Sequence, residues 1–233
     1  VLVARAAALL NAGVPAEEML NLTFSRGSAR DMEDRFQRLF SGSFPSAPRF
    51  STLHSFCYRL LREFGHREGR RVPGVTGSDG APSAEALLRK AIEIVTGSRP
   101  DPELLADFSG WMGFAKNRML DPGSRPPGAP PFFPAVFARY EEEKRAAGLM
   151  DYDDMPLYAA RILRSRPAFC QSWRQRFSRI NVDEAQDLSP AQYAVLRLLF
   201  PDGRGLFLVG DEDQSIYGFR GASPQELLGF AQS

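Results

Sequence analysis

Four short apolar runs, at residues 19–24, 50–53, 177–182 and 206–209, each break off into hydroxylated, acidic or glycine residues. Their length is that of strands in a sheet whose two faces are both covered. Amphipathic helices lie between them. Ala29, Met32, Phe36, Leu39 and Phe40 share one face of a helix expected over 28–40, and Phe56, Cys57, Leu60, Leu61 and Phe64 share a face over 54–64. A helix is expected at 155–163, and Ser189 followed by Pro190 marks the start of another that runs to Phe200. Strands alternating with helices predict an α/β fold, a parallel sheet covered by helices. Ligands of such sheets bind at the carboxyl ends of the strands, which is where the polar clusters of this sequence fall.

The middle of the chain reads differently. Between residues 65 and 150 it breaks repeatedly at Pro, Gly and Ser, notably over 72–82, 97–102 and 121–134. Helical patches such as 84–95 and 134–147 lie between the breaks, so this stretch is expected to be a helical insertion with long loops. The expected division is 1–64, 65–150 and 151–233, with the two outer segments building one sheet domain.

Composition narrows the class of protein. Of 233 residues, 43% are hydrophobic and 24% charged, which suits a folded core and excludes a disordered or fibrous chain. No apolar run approaches the roughly 20 residues of a membrane span, and no signal-peptide pattern opens the chain. A cytoplasmic protein with no membrane partner is therefore expected. Two cysteines, Cys57 and Cys170, exclude a disulfide scaffold. With only two histidines besides, far apart, no zinc site is expected. The 29 basic and 28 acidic residues leave a net charge of +1, and bulk charge gives no sign of a nucleic-acid partner. The only lysines are Lys90, Lys116 and Lys144.

Three groups of residues could carry chemistry. Asp183 and Glu184 follow the third apolar run directly. Adjacent carboxylates at a strand end are costly unless something binds them. Mg²⁺ held by nucleotide phosphates is one answer, with the second carboxylate free to orient or deprotonate water; acids complementing a helix dipole are the other. The fourth run leads into Asp211-Glu212-Asp213-Gln214 and then Tyr217, Phe219 and Arg220. Gln214 could hydrogen-bond a phosphate oxygen, and aromatics beside an arginine suit stacking on unpaired bases. Taken alone, Tyr217 and Phe219 read better as core residues at alternating positions. The third group, Thr23-Phe24-Ser25-Arg26 with Thr52, His54 and Ser55, places hydroxyls at strand-to-helix junctions. Phosphates accept from such hydroxyls and from helix N-terminal amides. Simple N-capping accounts for either segment by itself, and His54 alone reads as a satisfied histidine.

In this order, these stretches resemble the Rep/UvrD/PcrA-type helicases of superfamily one. LTFSRGSARDMEDRF resembles their motif Ia, TLHSFCYRLLREFG motif Ib, VDEAQDLSPAQY motif II and LVGDEDQSIYGFRGA motif III; DYDDMPLYAARIL resembles the helix before the Walker B strand. The match covers both flanks, while the insertion corresponds only in position and helical character. The resemblance implies a RecA-like P-loop NTPase domain with an inserted helical subdomain, using ATP and Mg²⁺ to move along single-stranded DNA and unwind duplex DNA, 3′ to 5′. It implies that Asp183 holds Mg²⁺, Glu184 activates water, and Gln214 senses the γ-phosphate. It places Thr23, Phe24, Ser25, Arg26, Thr52, His54 and Ser55 along the DNA path, with Tyr217, Phe219 and Arg220 stacking or pinning bases.

The chain also departs from the pattern. Arg26-Gly27 stand where the family often has Asn-Lys, and Phe219 stands where Trp is common. No Gly-Lys-Thr/Ser loop occurs. The resemblance therefore implies a fragment that starts just after that loop and lacks the second RecA-like domain, with little or no ATPase activity alone. Other readings stay open: the motor part of a RecB/AddA-like helicase-nuclease, and a DNA-binding module that has lost ATP binding. A generic P-loop kinase or GTPase leaves the motif III stretch unexplained.

Overall fold

The computed structural model describes residues 1–211 apart from Pro122, together with Asp213. Its main sheet has four parallel strands in the order β2-β1-β5-β6, where β1 is Met19–Thr23, β2 Arg49–Thr52, β5 Arg179–Val182 and β6 Leu206–Leu208. The register sets Leu22 beside Val182 and Thr23 beside Thr52. The carboxyl ends of β1, β2 and β5 are therefore level. All five residues of β1 are buried, as a strand covered on both faces requires.

Helices cover both sides. On one, α1 (Leu2–Asn11) and α2 (Arg26–Phe40) pack Val3, Ala6 and Phe36 against Met19 and Phe50. On the other, α3 (Leu53–Arg67), α7 (Asp154–Ser165), α8 (Pro167–Arg174) and α9 (Pro190–Leu199) enclose the largest core, which includes Phe56, Trp173, Ile180 and Tyr193. A polar ladder crosses the sheet on buried positions. Arg5 Nε donates to Asn181 Oδ1 at 3.0 Å, Asn181 Nδ2 to Asn21 Oδ1 at 2.8 Å, and Asn21 Nδ2 to the Arg49 carbonyl at 3.2 Å. Each group in the ladder is paired, so burying it fixes α1 and the strands without an orphaned amide.

The insertion has a core of its own. α4 (Ala84–Thr96), α5 (Pro102–Asn117) and α6 (Phe133–Ala146) pack around Leu88, Ile92, Phe108, Phe133 and Val136. It is tied at its base by a short parallel pair, β3 (Gly74–Val75) with β4 (Leu149–Met150). The expected helices at 28–40, 54–64 and 155–163 are present with shifted ends. The sequence reading did not single out α5, α8 or the β3–β4 pair. α8 lies just before β5, and its Phe169, Cys170 and Trp173 form one buried helical face.

Beneath the insertion lies a buried ion cluster. Lys116 Nζ, on α5, sits 2.5 Å from Asp151 Oδ2, 2.9 Å from Asp154 Oδ1 and 2.8 Å from Glu141 Oε1. Lys144, on α6, pairs with the same three carboxylates, and the Tyr140 hydroxyl donates to Asp151 at 2.8 Å. Burial alone would lower the Lys116 pKa; the carboxylates of Asp151, Asp154 and Glu141 reverse this and raise it well above the ordinary value. Glu141, Asp151 and Asp154 lie close enough to ligate a metal, yet two ammonium groups already fill the space between them.

Candidate functional site

The motif II turn is built by the backbone at the end of β5. The Asp183 amide donates to the Leu22 carbonyl of β1 at 2.8 Å, and the Ala185 amide to the Val209 carbonyl beyond β6 at 2.8 Å. Between them Glu184 adopts a left-handed conformation, φ +52°, which is unfavourable for a side chain with a Cβ and concentrates at functional positions. The turn is then locked from α9: the Tyr193 hydroxyl donates to the Ala185 carbonyl at 2.7 Å. Ser189 and Gln192 form a reciprocal capping box at the start of that helix.

Side chains complete the arrangement. Gln186 Nε2 donates to Glu184 Oε2 at 2.8 Å, and Gln186 Oε1 accepts from the Asp211 amide at 3.1 Å. Gly210 allows this approach, because a Cβ there would lie 2.6 Å from Gln186 Oε1 and 3.0 Å from its amide nitrogen. Asp183 is partly buried; burial first, then the neighbouring Glu184 charge, raise its pKa, partly offset by a hydrogen bond from the Glu184 backbone. Asp187 is raised for the same two reasons, burial and Glu184. Beside Asp183, Thr23 Oγ1 is buried without a hydrogen-bond partner, as is Asp187 Oδ1. A carboxylate that burial disfavours, next to an orphaned hydroxyl, is suited to a hydrated divalent cation.

A second feature opens at the same edge of the sheet. A cleft of about 1410 Å³ runs between the sheet domain and the insertion. One wall carries Phe24, Arg26, Thr52, His54, Ser55 and Tyr58; the other carries Trp111, Phe114, Asn117, Tyr152 and Asp153. Thr52 is the N-cap of α3, its hydroxyl accepting from the Ser55 amide at 3.1 Å. Burial lowers the His54 pKa, so its imidazole is neutral at pH 7. Tyr152, which lines the cleft, keeps 51% of its surface exposed.

Of the residues singled out from sequence, Phe24, Arg26, Thr52, His54 and Ser55 line this cleft. Thr23 and Ser25 do not. Thr23 is turned into the protein beside Asp183, and the Ser25 hydroxyl caps α2, accepting from the Ser28 amide at 3.0 Å. Gln214, Tyr217, Phe219 and Arg220 lie outside the described residues. Tyr58, Trp111, Phe114 and Tyr152 were not singled out. Tyr152 stands within a recognisable stretch, just ahead of α7, and an aromatic outside the helix's apolar face was the signal that could have found it.

A parallel sheet covered by helices on both faces, with paired carboxylates at a strand end beside an aromatic cleft, is an α/β arrangement of the RecA-like class. The profile of the UvrD/REP helicase N-terminal domain matches residues 1–233, and the chain belongs to that family. It is 30% identical over 218 residues to the ATP-dependent DNA helicase PcrA of Staphylococcus aureus, covering 91% of this chain and 29% of the relative. It is 31% identical to the PcrA of Leuconostoc citreum, over 91% of this chain and 28% of that protein. It is also 31% identical to YjcD of Bacillus subtilis, over 99% of this chain and 30% of that protein. The chain thus spans less than a third of the length of these relatives.

Proposed function

We propose that this chain is part of an ATP-dependent DNA helicase, in which residues 1–64 and 151–233 form the first motor domain and 65–150 an inserted subdomain. The observation that carries the reading is one shared edge of the sheet. There the Asp183–Glu184 turn and a cleft lined by Arg26, Thr52, His54, Trp111 and Tyr152 stand side by side. A Mg²⁺ bound with ATP would neutralise the phosphoryl oxygens, and Asp183, with the orphaned Thr23 hydroxyl beside it, fits such a cation. Glu184, held in its strained conformation by the ties of Ala185 and Gln186, presents a carboxylate that can accept the proton of an attacking water. Gln214 senses the γ-phosphate, and Tyr217, Phe219 and Arg220 engage bases.

Single-stranded DNA is the substrate best suited to the cleft. Bases have flat faces for Tyr152, Trp111 and Phe24, and phosphates are accepted by helix N-termini and Arg26. The partners of this reading are single-stranded and duplex DNA and, in cis, a second RecA-like domain, with movement 3′ to 5′ in a cytoplasmic setting. Two unpaired, buried cysteines, Cys57 and Cys170, agree with a reducing compartment. Among the described residues no helix is long and apolar enough to cross a membrane.

The test uses the full-length protein. Glu184→Gln should abolish DNA-stimulated ATP hydrolysis while fluorescent nucleotide still binds with unchanged affinity. The chain by itself should hydrolyse little or no ATP. Hydrolysis by the Glu184→Gln protein at the unaltered rate would remove Glu184 from the mechanism.

A further inference from the structure

A second cavity lies away from the site described above and shares no lining residue with the cleft. It holds about 250 Å³ between the end of α3, the segment 70–73 and the middle of α7. Local geometry creates it. After α3 the chain doubles back on the helix, the Arg70 amide donating to the Gly65 carbonyl at 2.8 Å. A Cβ at position 65 would lie 2.5 Å from Val72 Cγ2 and 2.8 Å from the Arg70 carbonyl oxygen, so only glycine lets this segment lie flush against the helix. The floor is apolar: Leu61, Phe64, Val72 and Ile162, all packed on the main core.

The rim has the opposite character. Arg70, Arg71 and Arg161 surround the opening and are exposed. Among the described residues none of the three has a carboxylate partner, and Arg161 lies only against the Tyr158 ring, 6.0 Å away. Nearby arginines are neutralised: Arg67 and Arg176 both pair with Glu63, at 2.7 Å and 2.5 Å. Three unpaired cations around an apolar hollow leave charge and surface unsatisfied at one place, the pattern that an acidic amphipathic segment complements.

We propose that this cavity is a docking site for an acidic peptide segment of a partner protein, which inserts an apolar side chain between Leu61 and Ile162 while its carboxylates pair with Arg70, Arg71 and Arg161. A peptide fits better than a nucleic acid. The cavity's two rings are already engaged within the protein, Phe64 edge-on to Phe169 at 5.3 Å and Tyr158 beneath the Arg161 guanidinium, and a phosphate fills no apolar hollow. The surface is independent of nucleotide and DNA binding, so its test stands apart from the proposed motor function.

The probe is a short fluorescein-labelled synthetic peptide with one Leu-Phe pair flanked by Asp and Glu, titrated against this chain by fluorescence anisotropy. Saturable binding that weakens with salt is expected. The double variant Arg70→Glu, Arg161→Glu should weaken it by about tenfold or more, from the loss and reversal of rim charges each contributing up to ~1 kcal/mol. Val72→Trp, which fills the cavity without changing charge, should weaken it independently, and replacing Leu-Phe by Ser-Ser should abolish it. Arg30→Glu, on α2 away from the cavity, should leave it unchanged. Circular dichroism and urea midpoints confirm that each variant is folded. No saturable binding, or affinity unchanged in both cavity variants, would overturn the proposal. So would single-stranded DNA that displaces the peptide and binds less tightly to the double variant, since that assigns the rim to nucleic acid.

Discussion

At Asp183 the fold keeps a carboxylate where ionisation is unfavourable. Its pKa is raised above the unfolded value by burial and by Glu184. The folded chain therefore binds more protons between the two pKa values, and above them the charged form lowers stability. Asp183→Asn should raise the thermal midpoint of the chain at neutral pH without Mg²⁺ and remove any Mg²⁺-dependent nucleotide binding. A fall in midpoint would show that the carboxylate is structural. His54 carries the opposite sign for a base. Its pKa is depressed by burial, so the unfolded state binds the proton more readily and stability declines as pH falls below about 6.5 until the folded pKa is reached. An oligonucleotide in the cleft would favour the imidazolium. DNA affinity should therefore rise on acidification below that pH in the unaltered chain, and this extra rise should vanish in His54→Gln. A pH profile identical in the two proteins would take His54 out of the DNA path. At this scale the sequence showed the two acids and the hydroxyls plainly. It could not show that the Thr23 hydroxyl is buried and does not line the cleft, because that depends on which strand neighbours which.

Elements decide how rigidly these groups are held. α9 starts with the capping box of Ser189 and Gln192 and ends the motif II turn through the Tyr193 hydroxyl. Ser189→Ala should cost ~1 kcal/mol of stability in urea unfolding. The start of that helix was legible because Ser followed by Pro is a local signal. The junction of α5, α6 and α7 was not. Asp151 and Asp154 are far in sequence from Lys116, and only the packing of three helices brings these groups and Lys144 together. Lys116→Met leaves buried carboxylates uncompensated and should destabilise the chain by about 3–5 kcal/mol. A loss within ~0.5 kcal/mol would mean that Lys144 alone neutralises the cluster.

For the molecule as a whole, the pattern of strands and helices was enough to place the sheet and its parallel direction. The insertion was less legible, because loops rich in Pro and Gly obscure helical periodicity, and α5 with its cleft-lining Trp111 went unrecognised. The near-neutral net charge bears little on the proposed DNA site. Net charge does not report placement: one cleft wall carries Arg26 and His54, while Asp79, Asp107 and Asp153 also line the cleft. The central claim is that this cleft holds single-stranded DNA, and Trp111 offers a reporter within it, since the other tryptophan, Trp173, is buried in the core. Titration with a labelled single-stranded oligonucleotide at low salt should raise its anisotropy and quench tryptophan emission with one shared midpoint. Arg26→Glu and Tyr152→Ala should each weaken both signals by about tenfold, in line with ~1–3 kcal/mol for a stacked base. An anisotropy change without quenching, or affinity untouched by both substitutions, would place the DNA elsewhere and contradict the account.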